Sequence, residues 1–210
     1  MRAVFAGGGT GGHLYPALAV AEELRRTQPG FEGAFMGSAQ GLEARLVPQH
    51  GFTLHLVPGS GFRRMGVVGR LRFVWSFARG VVAALGTLRR LRPDVVLATG
   101  GYASLAAGLA AAILRRPLVV QEQNSIPGLT NRLLGRLARE VHVAFPGCER
   151  YFGRAVHLTG NPLREAILAP AAPYPGLPAG VPVLLVVGGS RGARSINTAV
   201  ADAIPRVAAA

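Results

Sequence analysis

Residues 3–26, AVFAGGGTGGHLYPALAVAEELRR, decide the fold. The apolar run 3–6 reads as a short buried strand, and it breaks at once into five glycines within residues 7–12. Beyond them Leu14, Leu18, Ala21 and Leu24 recur at helical spacing, and Pro16 suits a first helical turn. Strand, glycine turn and helix together form the opening unit of a parallel α/β sheet. Five glycines exceed what a tight turn needs. They let the backbone approach an anion closely, and the helix start behind them offers unpaired N–H groups and a positive dipole end.

Working outward, the same pattern recurs. Residues 33–36 and 53–57 read as strands, and 70–91 as a long helix stopped at the Arg92-Pro93 step. DVVLA at 94–98 is a strand followed by Gly100-Gly101 and a helix over 104–114. Residues 117–120 and 141–144 are further strands, with a helix over 127–138 between them. The stretch 169–182, APAAPYPGLPAGVP, reads as a linker, after which a strand at 183–187, a glycine turn (GGSRGA, 188–193) and a helix restart the pattern. Three glycine turns at strand C-terminal ends, where open α/β sheets bind ligands, predict a phosphate-handling site.

Gly7, Gly9 and Gly12 also fit G-x-G-x-x-G, so a dinucleotide-binding oxidoreductase domain is a rival reading. It requires an acidic residue at the end of the second strand, where this chain has Met36-Gly37-Ser38. Glu43 lies further on, inside the next predicted helix, and the rival is marked down accordingly.

Composition sets the outer limits. At 210 residues the chain holds one full domain and part of a second. Half its residues are hydrophobic, which excludes a disordered chain. All 23 basic residues are Arg; the absence of Lys removes Schiff-base, Walker A and kinase-lysine chemistry. A net charge of +13 favours anionic partners. The single cysteine, Cys148, excludes a disulfide framework and a Cys-clustered zinc site. With only Asp94 and Asp202 and no Asp-x-Asp pair, no metal site or cofactor is expected. The apolar stretches 105–114 and 73–85 are respectively too short and interrupted by Arg79, so no membrane span or targeting signal is expected and the setting reads as cytoplasmic.

The ordered motifs GGTGGHxxPAxAxA (8–21), GGYxS (100–104), EQN (122–124), PGLTN (127–131), GNPxR (160–164) and GGSxGA (188–193) closely resemble the MurG family. Its members are N-acetylglucosaminyltransferases of peptidoglycan synthesis that convert lipid I to lipid II. The resemblance implies a GT-B arrangement: a Rossmann-like acceptor-binding domain at 1–163, a linker at 164–182, and the incomplete start of a second Rossmann-like donor domain at 183–210. It implies UDP-GlcNAc as donor, lipid I as acceptor, no nucleic acid partner, and inverting transfer to the MurNAc C4 hydroxyl. The chain is expected to be truncated and inactive alone. An acceptor-binding subunit of a split transferase is the alternative. The family usually has His where this chain has Gln121, so any role of that histidine lapses here.

By the same resemblance His13 is the general base, with bracing of the turn as the alternative. Thr10, Gly11 and Gly12 contact the diphosphate region, while Asn124, Arg164 and Ser190 hold the sugar nucleotide; a purely structural amide is the competing role for Asn124. Gly101, Tyr102 and Ser104 form the acceptor loop. The other four histidines read as structural. In residues 61–91, Arg63, Arg64, Arg72, Phe73 and Trp75 mix basic and aromatic character, as suits peripheral docking on an anionic inner membrane face. A solvated Arg face over an ordinary core helix is the competing reading.

Overall fold

The computed structural model describes residues 1–59, 67–169, 176, 180, 183–188 and 193–207, with the backbone alone at 67, 68, 70, 71, 166 and 207. The chain divides into two compact units, Met1–Ala169 and Pro170–Ala210. In the first, the elements run β1 Arg2–Gly7, α1 Gly11–Thr27, β2 Glu32–Gly37, α2 Glu43–Gln49, β3 Thr53–Leu56, α3 Val67–Leu91 and β4 Val95–Gly100. They continue with α4 Tyr102–Ile113, β5 Leu118–Glu122, α5 Leu129–Gly135, β6 Glu140–Val143, β7 His157–Leu158 and α6 Glu165–Leu168.

Every strand pairing is parallel, in the order β3-β2-β1-β4-β5-β6-β7. The chain builds outward from β1 to β3, returns through α3, and builds outward again from β4. This is a doubly wound Rossmann-like sheet, and its order reverses between β1 and β4. Strand parity sorts the core. Ala3 and Phe5 face one layer with Leu14, Leu18 and Val47, whereas Val4 and Ala6 face the other with Leu88, Ala106 and Leu134. Alanines at 103, 106, 107, 110 and 111 let α4 lie close to its neighbours. A β-carbon on Gly108 would come within 2.6 Å of Leu134, so α4 and α5 are in near contact.

Gly101 serves as the N-cap of α4, which therefore starts two residues before the expected Ser104. The helix α5 is shorter than 127–138 because Gly128 caps it in extended conformation and residues 136–138 close as turns. Both α3 and α4 stop on arginines in the left-handed region, Arg92 (φ 47°) and Arg115 (φ 53°), shortly ahead of Pro93 and Pro117.

The first unit runs past residue 163 to Ala169 and includes the single turn α6. In the second unit, α7 spans Arg194–Val207. The expected strand at 183–187 is corrected: these residues form no strand, and Leu184 and Val187 are largely exposed. A strand exists only through its ladder partner, and no partner occurs among the described residues of this unit.

Candidate active site

The reversal of strand order brings the ends of β1 and β4 together at the carboxyl edge of the sheet, each ending in a glycine turn. These turns touch main chain to main chain. A β-carbon on Gly101 would lie 2.7 Å from the Gly8 carbonyl oxygen. One on Gly100 would lie 2.7 Å from the His13 ring, so that ring rests directly on the second turn. The helices α1 and α4 start here and turn the positive ends of their dipoles toward these turns, with no acidic residue in either first turn. Thr10 caps α1 through its carbonyl, which accepts from the His13 and Leu14 amides at 3.3 and 3.2 Å. Its exposed hydroxyl makes no cap bond.

His13 is held from two sides. The Thr99 hydroxyl donates to the His13 carbonyl at 2.7 Å, and Nδ1 stands 3.2 Å from Gln123 Oε1. Gln123 Nε2 in turn donates to the carbonyls of Thr99 and Gln121 at 3.0 Å each, and to Gln121 Oε1 at 2.5 Å. Gln121 Nε2 reaches Asn161 Oδ1 at 3.4 Å. Side-chain amides thus run from the loop after β7 to the imidazole, and Gln121 serves as a brace within that run.

Two buried carboxylates shape the surrounding loops. Glu43, 1% exposed, accepts from the Gly9 amide, the Ser38 amide and the Ser38 hydroxyl at 2.8–2.9 Å. Gly8, Gly37 and Gly41 crowd it so closely that a β-carbon on any of them would come within 2.6 Å of its side chain. A carboxylate therefore does stand at the end of β2, but its three bonds go to the protein's own loops and its burial closes it to a ribose. Glu122 accepts from Asn124 N and Nδ2, Gly128 N and Asn131 Nδ2 at 2.8–3.2 Å. The Cys148 thiol donates to the carbonyls of Asn124 and Ser125 at 3.1 and 3.3 Å. Burial, then Glu122 and Glu149, push its pKa up, so it stays a neutral brace.

Of the expected ligand contacts, Thr10, Gly11, Gly12, His13 and Gly101 converge at the switch point. Asn124 is exposed, with its side-chain Nδ2 turned onto Glu122 and its side-chain Oδ1 without a bond to the described residues. The Arg164 guanidinium stacks 4.4 Å from the centre of the Tyr15 ring, and Tyr15 lies against Gly11. Arg164 is thus placed beside the first turn, and its Nε has no partner among the described residues.

Three expectations are corrected. Ser104 is fully buried; its hydroxyl donates to the Ala6 carbonyl at 2.7 Å and accepts from the Gly100 amide at 3.1 Å. That hydroxyl stitches β1 to the second turn and is closed to a ligand. The Tyr102 hydroxyl donates to the Pro58 carbonyl at 3.0 Å, and burial raises its pKa, with a bond to Ser76 opposing this. Its ring is edge-on to Phe73 and Phe77, so Tyr102 fastens the turn to α3. Phe73 accordingly packs inward rather than facing outward, while Arg72 and Trp75 are exposed, Trp75 at 68%. Ser190, Arg63 and Arg64 lie outside the described residues. Gln123 and Thr99 were not singled out from sequence, and Glu43 was weighed only as a ribose ligand; for Gln123, three consecutive polar residues (121–123) closing an apolar strand were the available signal.

Comparison with known proteins agrees with this fold. The model for the glycosyltransferase family 28 N-terminal domain matches residues 3–143. A protein of Syntrophotalea carbinolica named UDP-N-acetylglucosamine–N-acetylmuramyl-(pentapeptide) pyrophosphoryl-undecaprenol N-acetylglucosamine transferase is 47% identical over 208 residues, covering 99% of this chain and 57% of that protein. A protein of the same name from Anaeromyxobacter dehalogenans is 44% identical over 209 residues, covering 99% and 54%. The chain thus spans little more than half the length of these curated relatives. The crystal structure of Acinetobacter baumannii MurG superposes with a TM-score of 0.67 at 30% identity, over 77% of this chain and 46% of that one. A putative UDP-N-acetylglucosamine 2-epimerase from Listeria monocytogenes, at 16% identity and TM-score 0.60 over 76% and 45%, shares the fold alone. The resemblance to MurG is borne out, and the chain belongs to glycosyltransferase family 28 through its N-terminal domain.

Proposed function

We propose that the chain is the acceptor-binding part of an N-acetylglucosaminyltransferase that moves GlcNAc from UDP-GlcNAc to the C4 hydroxyl of MurNAc in lipid I, giving lipid II. The observation that carries this reading is His13, pinned over the second glycine turn where two helix N-termini meet. Its imidazole takes the proton of the acceptor hydroxyl as that oxygen attacks the anomeric carbon. The bond from that carbon to the UDP oxygen breaks with inversion, and UDP leaves with the electron pair. Amides at Gly11, Gly12 and Gly101 and the Thr10 hydroxyl hold diphosphate oxygens, while Arg164 and Asn124 face the sugar nucleotide. Helix dipoles and arginine stabilise the leaving group. In this reading 1–163 is the acceptor domain, 164–182 a linker and 183–210 the opening of the donor domain, with Ser190 in its glycine turn.

The outer face of α3 supports peripheral contact with the anionic cytoplasmic side of a bilayer. Arg72, Trp75, Arg79 and Val82 recur at helical spacing and are all exposed. Among the described residues no helix is long and apolar enough to cross a membrane.

Isothermal titration of this chain with a soluble lipid I analogue, beside UDP-GlcNAc, tests the reading. Binding of the analogue that weakens in a Gly101→Ala variant is expected. A folded chain that fails to bind the analogue refutes the acceptor assignment.

A further inference from the structure

We infer that Gln123 sets the tautomer of His13, keeping the proton on Nδ1 and leaving the Nε2 lone pair as the proton acceptor. The argument starts with the orientation of the Gln123 amide. Its Nε2 faces the main-chain carbonyls of Thr99 and Gln121 at 3.0 Å each, and both groups can only accept. Reversing the amide would set Oε1 against two carbonyl oxygens at a residue only 8% exposed, where water cannot relieve the clash of lone pairs. Oε1 must therefore face His13. A carboxamide oxygen only accepts, so the ring nitrogen 3.2 Å away must carry the hydrogen. The other ring nitrogen, Nε2, has no partner among the described residues.

The choice of an amide over a carboxylate has its own chemical consequence. A carboxylate at this position would favour the imidazolium and fill the lone pair with a proton. The neutral amide orients the ring without adding charge, and Gln121, tied to Asn161, braces it from behind. Gln123 is thus a positioning residue acting through His13. Its catalytic meaning rests on the proposed role of His13 as base.

Nitrogen NMR of the chain labelled with 15N-histidine tests this directly, at a pH well above histidine titration. A His13→Asn variant identifies the His13 signals among the five histidines. The expected result is a protonated Nδ1 and an unprotonated Nε2, with a bias of several-fold to about tenfold, the net worth of one hydrogen bond. In Gln123→Met the bias should be lost while the other four histidines keep their signals. A His13 that carries its proton on Nε2 in the unsubstituted chain, or a bias unchanged in Gln123→Met, overturns the inference. The measurement needs no substrate. Failure of the lipid I analogue to bind would refute the acceptor assignment and leave the tautomer result standing, and a wrong tautomer would leave acceptor binding untouched.

Discussion

Replacing Gly101 with alanine tests whether the two glycine turns are a single packed unit. Gly101 has φ 91° and ψ 176°, a region nearly closed to residues with a side chain, where occupancy costs about 1–3 kcal/mol. Its new β-carbon would also meet the Gly8 carbonyl oxygen at 2.7 Å. That neighbour is main chain and cannot rotate away, so forced repacking adds about 1–3 kcal/mol. The expected loss is therefore roughly 2–6 kcal/mol, a large share of the ~5–15 kcal/mol that ordinary domains possess. Gly9→Ala is the internal control: φ is +81° there, but nothing lies within 4 Å of the added carbon. Only the conformational penalty, about 1–2 kcal/mol, should appear. Urea unfolding followed by circular dichroism separates the two, and thermal midpoints should drop by about 2–4 °C per kcal/mol for a unit of this size. Equal losses in the two variants would show that the turns do not press on each other, and the account of the site would fail with them.

Glu43→Gln replaces an acceptor of three hydrogen bonds with a group that must turn one donor onto another; a loss of about 1.5–3 kcal/mol is expected in the same assay. Arg115→Gly should stabilise the chain by about 1 kcal/mol, because glycine accepts the φ of 53° that arginine adopts under strain. Burial first, then Arg90, hold the His55 pKa below its ordinary value, so the unfolded chain binds that proton more readily than the folded one. Its stability contribution is complete above about pH 6.5 and declines as pH falls through the lower folded value, and His55→Gln should flatten that part of the stability-against-pH curve. Trp75→Ala should reduce co-sedimentation with vesicles containing anionic lipid and leave neutral vesicles unaffected; added salt should weaken the unsubstituted chain, since each basic residue near such a surface contributes about 1 kcal/mol.

The sheet was legible because its signals are local. Apolar runs of four or five residues, each closed by glycine, mark β1 and β4, and the Arg92-Pro93 step marks where α3 ends. β7 was not legible: two exposed residues, His157 and Leu158, carry no period to read. The run at 183–187 misled for the opposite reason, since strong strand propensity does not supply a partner. In the site, glycines and His13 declared themselves through motif density. Glu43 did not, because its contact with Gly9 spans 34 positions and only the folded sheet brings them together. Ser104 and Tyr102 sit in a loop that looks ligand-facing in sequence, yet their hydroxyls answer the chain's own carbonyls at Ala6 and Pro58. The demand of buried carbonyls for donors is invisible until the strand order is known.

Contact between Gly8 and Gly101 has a consequence for altering this protein. The position of the imidazole derives from peptide units and from amides behind it, whereas Thr10, Tyr15 and Asn124 stand at the exposed rim. A mutational library confined to those three rim positions varies the exposed surface while the packing that holds the imidazole keeps its geometry. One that includes positions 8, 100 or 101 will return mostly collapsed sites, whatever substrate is used for selection.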